Sequence, residues 1–300
     1  MRFKRSASIL LMFVMLILVF PLQGMAKNKL VVYTVNYPLY YFAERIGGEY
    51  IQVVLPAPPD VDPAFWYPDD NTVRQYQKAD LVILNGAGYA KWTRKVSLPM
   101  VRMVDTSRAF KDELINIETN VTHNHGPGGD HSHGGTAFTT WLDFSQAAIQ
   151  AKAIYKALVR KLPAPKQDFT KNFKELEKNL LDLDKQMTAI GEHMAHTPLF
   201  TSHPIYQYVA RRYEMNIQMM MWEPDEDPGE QEWQNLQEAA KNHPAKWMLW
   251  EGEPLKSSVK KLQDLDISST IFTPCMNRPA EGDFLSVMQA NIENLRKMYQ

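Results

Sequence analysis

Short, nearly continuous apolar runs alternate along this chain with stretches whose apolar residues recur at helical spacing. Residues 30–35, 51–55, 81–84 and 100–104 are runs of the first kind, of a length that suits buried strands. Residues 37–46 carry the helical pattern, and Gly47-Gly48 stops it. A second helix ends at Lys78. Asp69, Asp70 or Asn71 can cap it, because a short polar side chain accepts from the free amides of the first turn. The alternation returns near the other end. Strands are expected at 199–201, 217–222, 247–250 and 270–273, and helices at 203–213, 229–242, 255–265 and 284–299. Strands that alternate with helices predict parallel sheets covered by helices.

Between these regions the chain reads as helix. Residues 145–162 form one helix. Phe169, Phe173, Leu176, Leu180, Leu183, Met187, Ile190 and Met194 then line up on one stripe of another. A helix of about 28 residues is roughly 42 Å long at 1.5 Å per residue, longer than one small lobe. With no partner segment for a coiled coil, the stripe predicts a rigid connector. The expected fold class is α/β, with two lobes, each a mainly parallel sheet flanked by helices, joined by one long rigid helix. The lobes are expected at 27–165 and 196–300, with the connector at 166–195.

The first 26 residues stand apart. Arg2, Lys4 and Arg5 precede an apolar run over 9–20, and Gly24-Met25-Ala26 offers small residues at a cleavage site. This is the pattern of a secretory signal peptide cut after Ala26. The one cysteine, Cys275, is far from that site, so no lipid anchor is expected there and no internal disulfide can form. The periplasm is the expected compartment. The net charge is −1, and three of the bases lie in the signal segment, so no basic field for nucleic acid exists. A monomer is expected.

Four of the eight histidines, His123, His125, His131 and His133, fall in a glycine-rich stretch at 122–135. Two His-x-His pairs with Asp130 between them can wrap a transition metal, and the same composition also suits a linker. In open α/β sheets ligands bind beyond the carboxyl ends of strands. That rule places His203, Glu223, Glu251 and Thr273 at the mouth of a cleft. His203, after the potential cap Ser202, is also readable as a structural histidine at a helix start.

Several motifs resemble the zinc- and manganese-type solute-binding proteins of bacterial ABC importers, the TroA-like group. Asp62-Pro63-Ala64-Phe65-Trp66-Tyr67-Pro68 resembles the family's Asp-Pro-His-x-Tyr-Glu-Pro segment. Residues 78–86 resemble its Ala-Asp-Leu-Val-Ile-x-Asn-Gly strand, Trp141-Leu142-Asp143 the tail of its His-x-Trp-x-Asp motif, and residues 202–208 its Ser-His-x-x-Phe-x-Tyr segment. Asn291-Ile292-Glu293-Asn294-Leu295 fits the closing helix. The resemblance covers nearly the whole chain after residue 26. It implies two lobes with a metal between them, held by three histidines and a carboxylate, and a histidine-rich loop in zinc-specific members.

The chain departs from that ligand set. Ala64 and Thr139 stand where the first two histidines are expected, and Thr273 at the carboxylate position, while His203 retains the third histidine. Zinc needs four ligands, or three and a water. Three readings follow. The first is a solute-binding protein that delivers a transition metal, Zn2+ above others, to an ABC permease in the inner membrane. The second is a protein of the same fold that binds another small ligand in a cleft lined by Trp66, Tyr67, Trp141, Tyr206 and neighbouring aromatics through stacking or cation–π contacts, although Trp141 and Tyr206 also occupy aromatic positions of the family pattern and read equally as core. The third is an accessory metal chaperone acting through the histidine-rich loop. No hydrolase, metalloprotease or phosphate-loop motif supports an enzyme.

Overall fold

A computed structural model describes residues 29–59, 61–117, 122–124, 130–132 and 135–299. The signal-peptide expectation for residues 1–26 lies outside the described residues. Strands β1 (Leu30–Thr34), β2 (Ile51–Val54), β3 (Leu81–Leu84) and β4 (Met103–Asp105) form a four-stranded parallel sheet in the order β2-β1-β3-β4. The fourth strand starts later than its apolar run suggests. Met100–Arg102 is a 3-10 turn that leaves Met100 and Val101 on the surface, and pairing begins where Met103 meets Val82.

Helix α1 (Tyr37–Gly47) follows β1 and is capped by Asn36, whose side chain accepts from the Leu39 amide. Helix α2 (Asp70–Lys78) precedes β3, and Asp69 is its cap. Residues 116–117 (β5, Asn116–Ile117) pair antiparallel with β8 (Gly135–Thr136). The backbone of the histidine-rich segment includes two short antiparallel strands, β6 (Thr122–Asn124) and β7 (Asp130–Ser132), with His123 in register with His131. In these parts the backbone is paired strand rather than open loop.

The second sheet is built alike. Strands β9 (Leu199–Thr201), β10 (Ile217–Met219), β11 (Trp247–Trp250) and β12 (Ser268–Ile271) are parallel in the order β10-β9-β11-β12. Helices α5 (Gln207–Arg212), α6 (Glu230–Asn242), α7 (Lys256–Gln263) and α8 (Phe284–Arg296) connect and close it. The helix expected from residue 203 begins only at Gln207. The Ser202 backbone continues the sheet's hydrogen bonding, its amide donating to Leu249 and its carbonyl accepting from Trp222, and its hydroxyl has no partner among the described residues, so it caps no helix.

Helix α3 (Phe144–Lys161), capped by Asp143, leads into α4 (Lys166–Met194), a helix of 29 residues. The predicted apolar stripe is buried along the whole of α4. Its first half is tied to the N-terminal lobe: Tyr50 donates to Asp168 at 2.6 Å, and Asn172 to the Ile46 carbonyl. Its second half is tied to the other lobe through Arg212–Asp184 and through Gln186 with Gln289 and Arg296. The main core is continuous across both lobes, and a smaller one gathers Phe200, Trp222, Trp233 and Trp250 beneath the second sheet.

Candidate metal centre

Three chain segments bring ligand atoms together beyond the carboxyl ends of the second sheet. His203 comes two residues after β9, Glu223 four after β10, and Glu251 directly after β11. Parallel strands point these ends to one side, so residues distant in sequence converge. One ligand atom from each of the three lies within 4.8 Å of the others. His203 Nδ1 is 3.2 Å from Glu223 Oε1 and 4.0 Å from Glu251 Oε1. All three side chains are largely buried.

The electrostatics of this cluster favour a cation. Glu251 is pushed well above the ordinary carboxylate range by burial, then by the charges of Glu223 and Asp62 and a hydrogen bond with Glu223. Asp62, on the loop after β2, is pushed up to about 6, chiefly by burial, with Glu223 adding to it and the Ala64 amide opposing it. Buried carboxylates that repel one another resist ionisation, and a bound cation relieves both the burial and the repulsion.

The remaining sequence candidates fall elsewhere. Ala64 is buried and offers no ligand. Thr139 is buried, and its hydroxyl donates to the Ile205 carbonyl at 2.5 Å, a tie between lobes. The Thr273 backbone is held on both sides by the Asn291 amide, at 3.0 and 2.8 Å.

Two of the expected cleft-lining aromatics are corrected by the structure. Trp141 and Tyr206 are fully buried; the Trp141 indole donates to the Pro274 carbonyl, and the Tyr206 hydroxyl to that of Phe272. An aromatic ring with a polar tip is well suited to such a buried tie. Trp222 and Trp250 pack in the smaller core. Trp66 is half-buried against the main core, and Tyr67 is exposed under the Lys95 ammonium, 4.9 Å from the ring centre. Aromatic surface for stacking a small organic ligand is therefore scarce among the described residues. His125 and His133, and the side chains of His123 and His131, lie outside the described residues.

The sequence placed His203, Glu223 and Glu251 at the cleft mouth, with either acid a candidate to stand in for a missing family ligand. Asp62 drew no such reading, although it opens the Asp-Pro segment two residues before Ala64. The available signal was position: Asp62 also follows the carboxyl end of a strand.

Known proteins share both sequence and fold with this chain. The high-affinity zinc uptake system protein ZnuA of Bacillus subtilis is 28% identical over 229 residues, 75% of this chain and 71% of that protein. The zinc-binding lipoprotein AdcA of Streptococcus pneumoniae is 23% identical over 286 residues, 92% of this chain and 57% of AdcA, so the chain spans little more than half of that relative. The crystal structure of the metal-dependent lipoprotein YcdH from Bacillus subtilis superposes with a TM-score of 0.77 at 22% identity, over 90% of this chain and 99% of YcdH, which shows a shared fold. The description "zinc-uptake complex component A periplasmic" (ZnuA) matches residues 32–298. The two sheets, the long connecting helix and this match over nearly all the described residues place the chain in the ZnuA family of periplasmic zinc-uptake components.

Proposed function

We propose that this chain is the solute-binding component of an ABC importer. It captures a transition metal, zinc before others, outside the inner membrane and hands it to a permease. The observation that carries this reading is the convergence of His203, Glu223 and Glu251, with ligand atoms within 4.8 Å of one another. One imidazole and two carboxylates form a three-ligand set that leaves a fourth position open, and zinc accepts both donor types. The family expectation of three histidines is thus replaced by a site rebuilt from acids on neighbouring strand ends. The chain acts by binding and release; the aligned ligand atoms serve a cation and require no catalytic step. The zinc-binding names of the relatives support the choice of metal.

The test is calorimetric titration of zinc into the metal-stripped chain lacking its first 26 residues. The same titration is run on a variant without residues 122–135, and on His203→Ala combined with Glu251→Gln. One-to-one binding that survives the deletion and disappears in the double variant is the expected result. Binding that disappears with the deletion instead assigns the metal to the histidine-rich segment, and the protein becomes an accessory chaperone.

A further inference from the structure

A cavity of about 330 Å³ opens between the lobes, walled on one side by the turn after β3 and on the other by Pro204 and Ile205. Among the described residues its lining holds three cations, Lys91, Arg94 and Lys95, and no acid. The sequence Lys91-Trp92-Thr93-Arg94-Lys95 produces this clustering. Lys91–Arg94 is a 3-10 turn, and side chains three apart eclipse in that geometry, so Lys91 and Arg94 share one side of it. Trp92, between them, is buried with its ring 4.8 Å from that of Tyr76, which pins the turn to the lobe. The turn starts from Ala90 in the left-handed conformation, at φ 51°, which is strained for a residue with a Cβ.

The cationic heads are placed over the cavity without acids to hold them. The Lys95 ammonium sits 4.9 Å from the centre of the Tyr67 ring. An Arg94 guanidinium nitrogen lies 3.9 Å from where a Cβ on Gly88, itself a lining residue, would stand. Among the described residues no carboxylate pairs with Arg94 or Lys95. The facing wall is apolar and includes Phe138, Pro204 and Ile205. The Phe138 ring is fixed edge-on by Phe65 and Tyr89, at 6.0 and 5.3 Å. The bond from Thr139 to the Ile205 carbonyl ties the two walls together, so the cavity is preformed. Charge of one sign over low-dielectric walls concentrates its field in the space between them. A mainly apolar concavity of this size with a few convergent polar groups is the usual form of a small-molecule site.

We propose that this cavity is a second ligand site, apart from the metal cluster, and that it takes a small carboxylate with a compact apolar body. The carboxylate lies against Arg94 and Lys95, and the apolar part against Phe138, Pro204 and Ile205. A guanidinium offers two parallel donors that match the two oxygens of a carboxylate, and a neighbouring ammonium adds charge. The apolar wall separates an organic acid from an inorganic anion, which has no apolar surface to bury there. None of these residues belongs to the His203–Glu223–Glu251 cluster, so the inference stands independently of the zinc reading.

The probe is cyclohexanecarboxylate, titrated into the chain lacking its first 26 residues and followed by ligand-observed NMR. The wild type is expected to bind it with a Kd of about 1 mM or tighter, as suits a ligand of this size, and more weakly as salt screens the exposed cations. Cyclohexanecarboxamide, its neutral near-isostere, and inorganic phosphate are each expected to bind at least about tenfold more weakly. Arg94→Gln combined with Lys95→Gln, both exposed, is expected to lose the carboxylate by a similar factor. Lys171→Gln combined with Lys174→Gln, exposed on α4, makes the same change in net charge and is expected to leave binding unaltered. Absence of carboxylate binding to the wild type, equal binding of the amide, equal binding of phosphate, or equal losses in the two double variants each overturns the inference and leaves the zinc reading untouched.

Discussion

Glu223 Oε1 stands 3.2 Å from His203 Nδ1, and Glu251 Oε1 stands 4.0 Å from the same nitrogen. The arrangement is good for a cation and poor for the empty protein, because burial and the neighbouring acids oppose ionisation of Glu251. Glu251→Gln keeps the shape and removes the ionisable group. The metal-free variant is expected to melt above the parent at pH 8, by about 2–4 °C for each kcal/mol of strain relieved in a chain of this size. The gap should narrow as the pH falls toward the ordinary carboxylate range, where the unfolded chain also takes up the proton. Zinc binding by the variant should fall at the same time. Thermal unfolding in the presence of a chelator measures the first, calorimetry the second. Equal melting temperatures across this pH range would show that the acids do not strain the empty site.

Asp62 gives a pH dependence with a defined sign. Its ordinary value is 3.8, and in the fold it is pushed up to about 6. Between these two values the folded protein holds a proton that the unfolded chain has released. Its contribution to stability is therefore complete below about pH 4 and lost as the pH rises through about 6, by roughly 1–3 kcal/mol. The metal-free wild type should lose stability over that window relative to Asp62→Asn. Urea unfolding at pH 4.5 and 7.5 is the measurement, and parallel behaviour of the two proteins would contradict it.

Much of the fold was legible because it follows from periodicity. The stripe from Phe169 to Met194 specifies α4, and the apolar runs specify all eight strands of the two four-stranded sheets to within three residues. The exceptions are informative. Residues 203–206 look helical from their apolar spacing, yet Ser202 remains bonded to the sheet and postpones α5 to Gln207. The site was half legible. The strand-end rule found His203, Glu223 and Glu251, but the family motif drew attention to positions 64, 139 and 273, where the chemistry is absent. For Trp141 and Tyr206 the sequence left cleft and core both open, since they stand at aromatic positions of the family pattern, and the structure puts them in the core.

The tie between α4 and α5 is also testable. The Arg212 guanidinium donates to both Asp184 oxygens, at 3.1 and 2.6 Å, and Tyr213 donates to the same carboxylate. Arg212 is 39% exposed, so water screens part of the pairing. Arg212→Ala is expected to cost about 1–2 kcal/mol, less than for a fully buried pair because Tyr213 remains to satisfy Asp184. Zinc affinity should be unchanged, since the tie lies away from His203. Urea unfolding and calorimetry together separate the two effects.

Leu176 and Leu180 are fully buried in α4, midway between the ends that grip the two lobes. Leu180→Ala should cost about 2–5 kcal/mol, as for other large-to-small changes in a packed core. The same packing limits how far the lobes can move. A helix of 29 residues is anchored at Asp168 and Asn172 on one side and at Asp184 and Gln186 on the other. Further bonds cross directly: Thr139 to Ile205, Trp141 to Pro274, Tyr208 to Ala137 and Asn277 to Val61. A wide hinge closure would break these bonds together, and several of them are buried where no water can replace them. Zinc should therefore leave the radius of gyration of the chain unchanged in small-angle scattering, and any response should be local, in the loop that carries Asp62. A clear contraction on adding zinc would mean that the interlobe bonds open, and that α4 is a hinge rather than a strut.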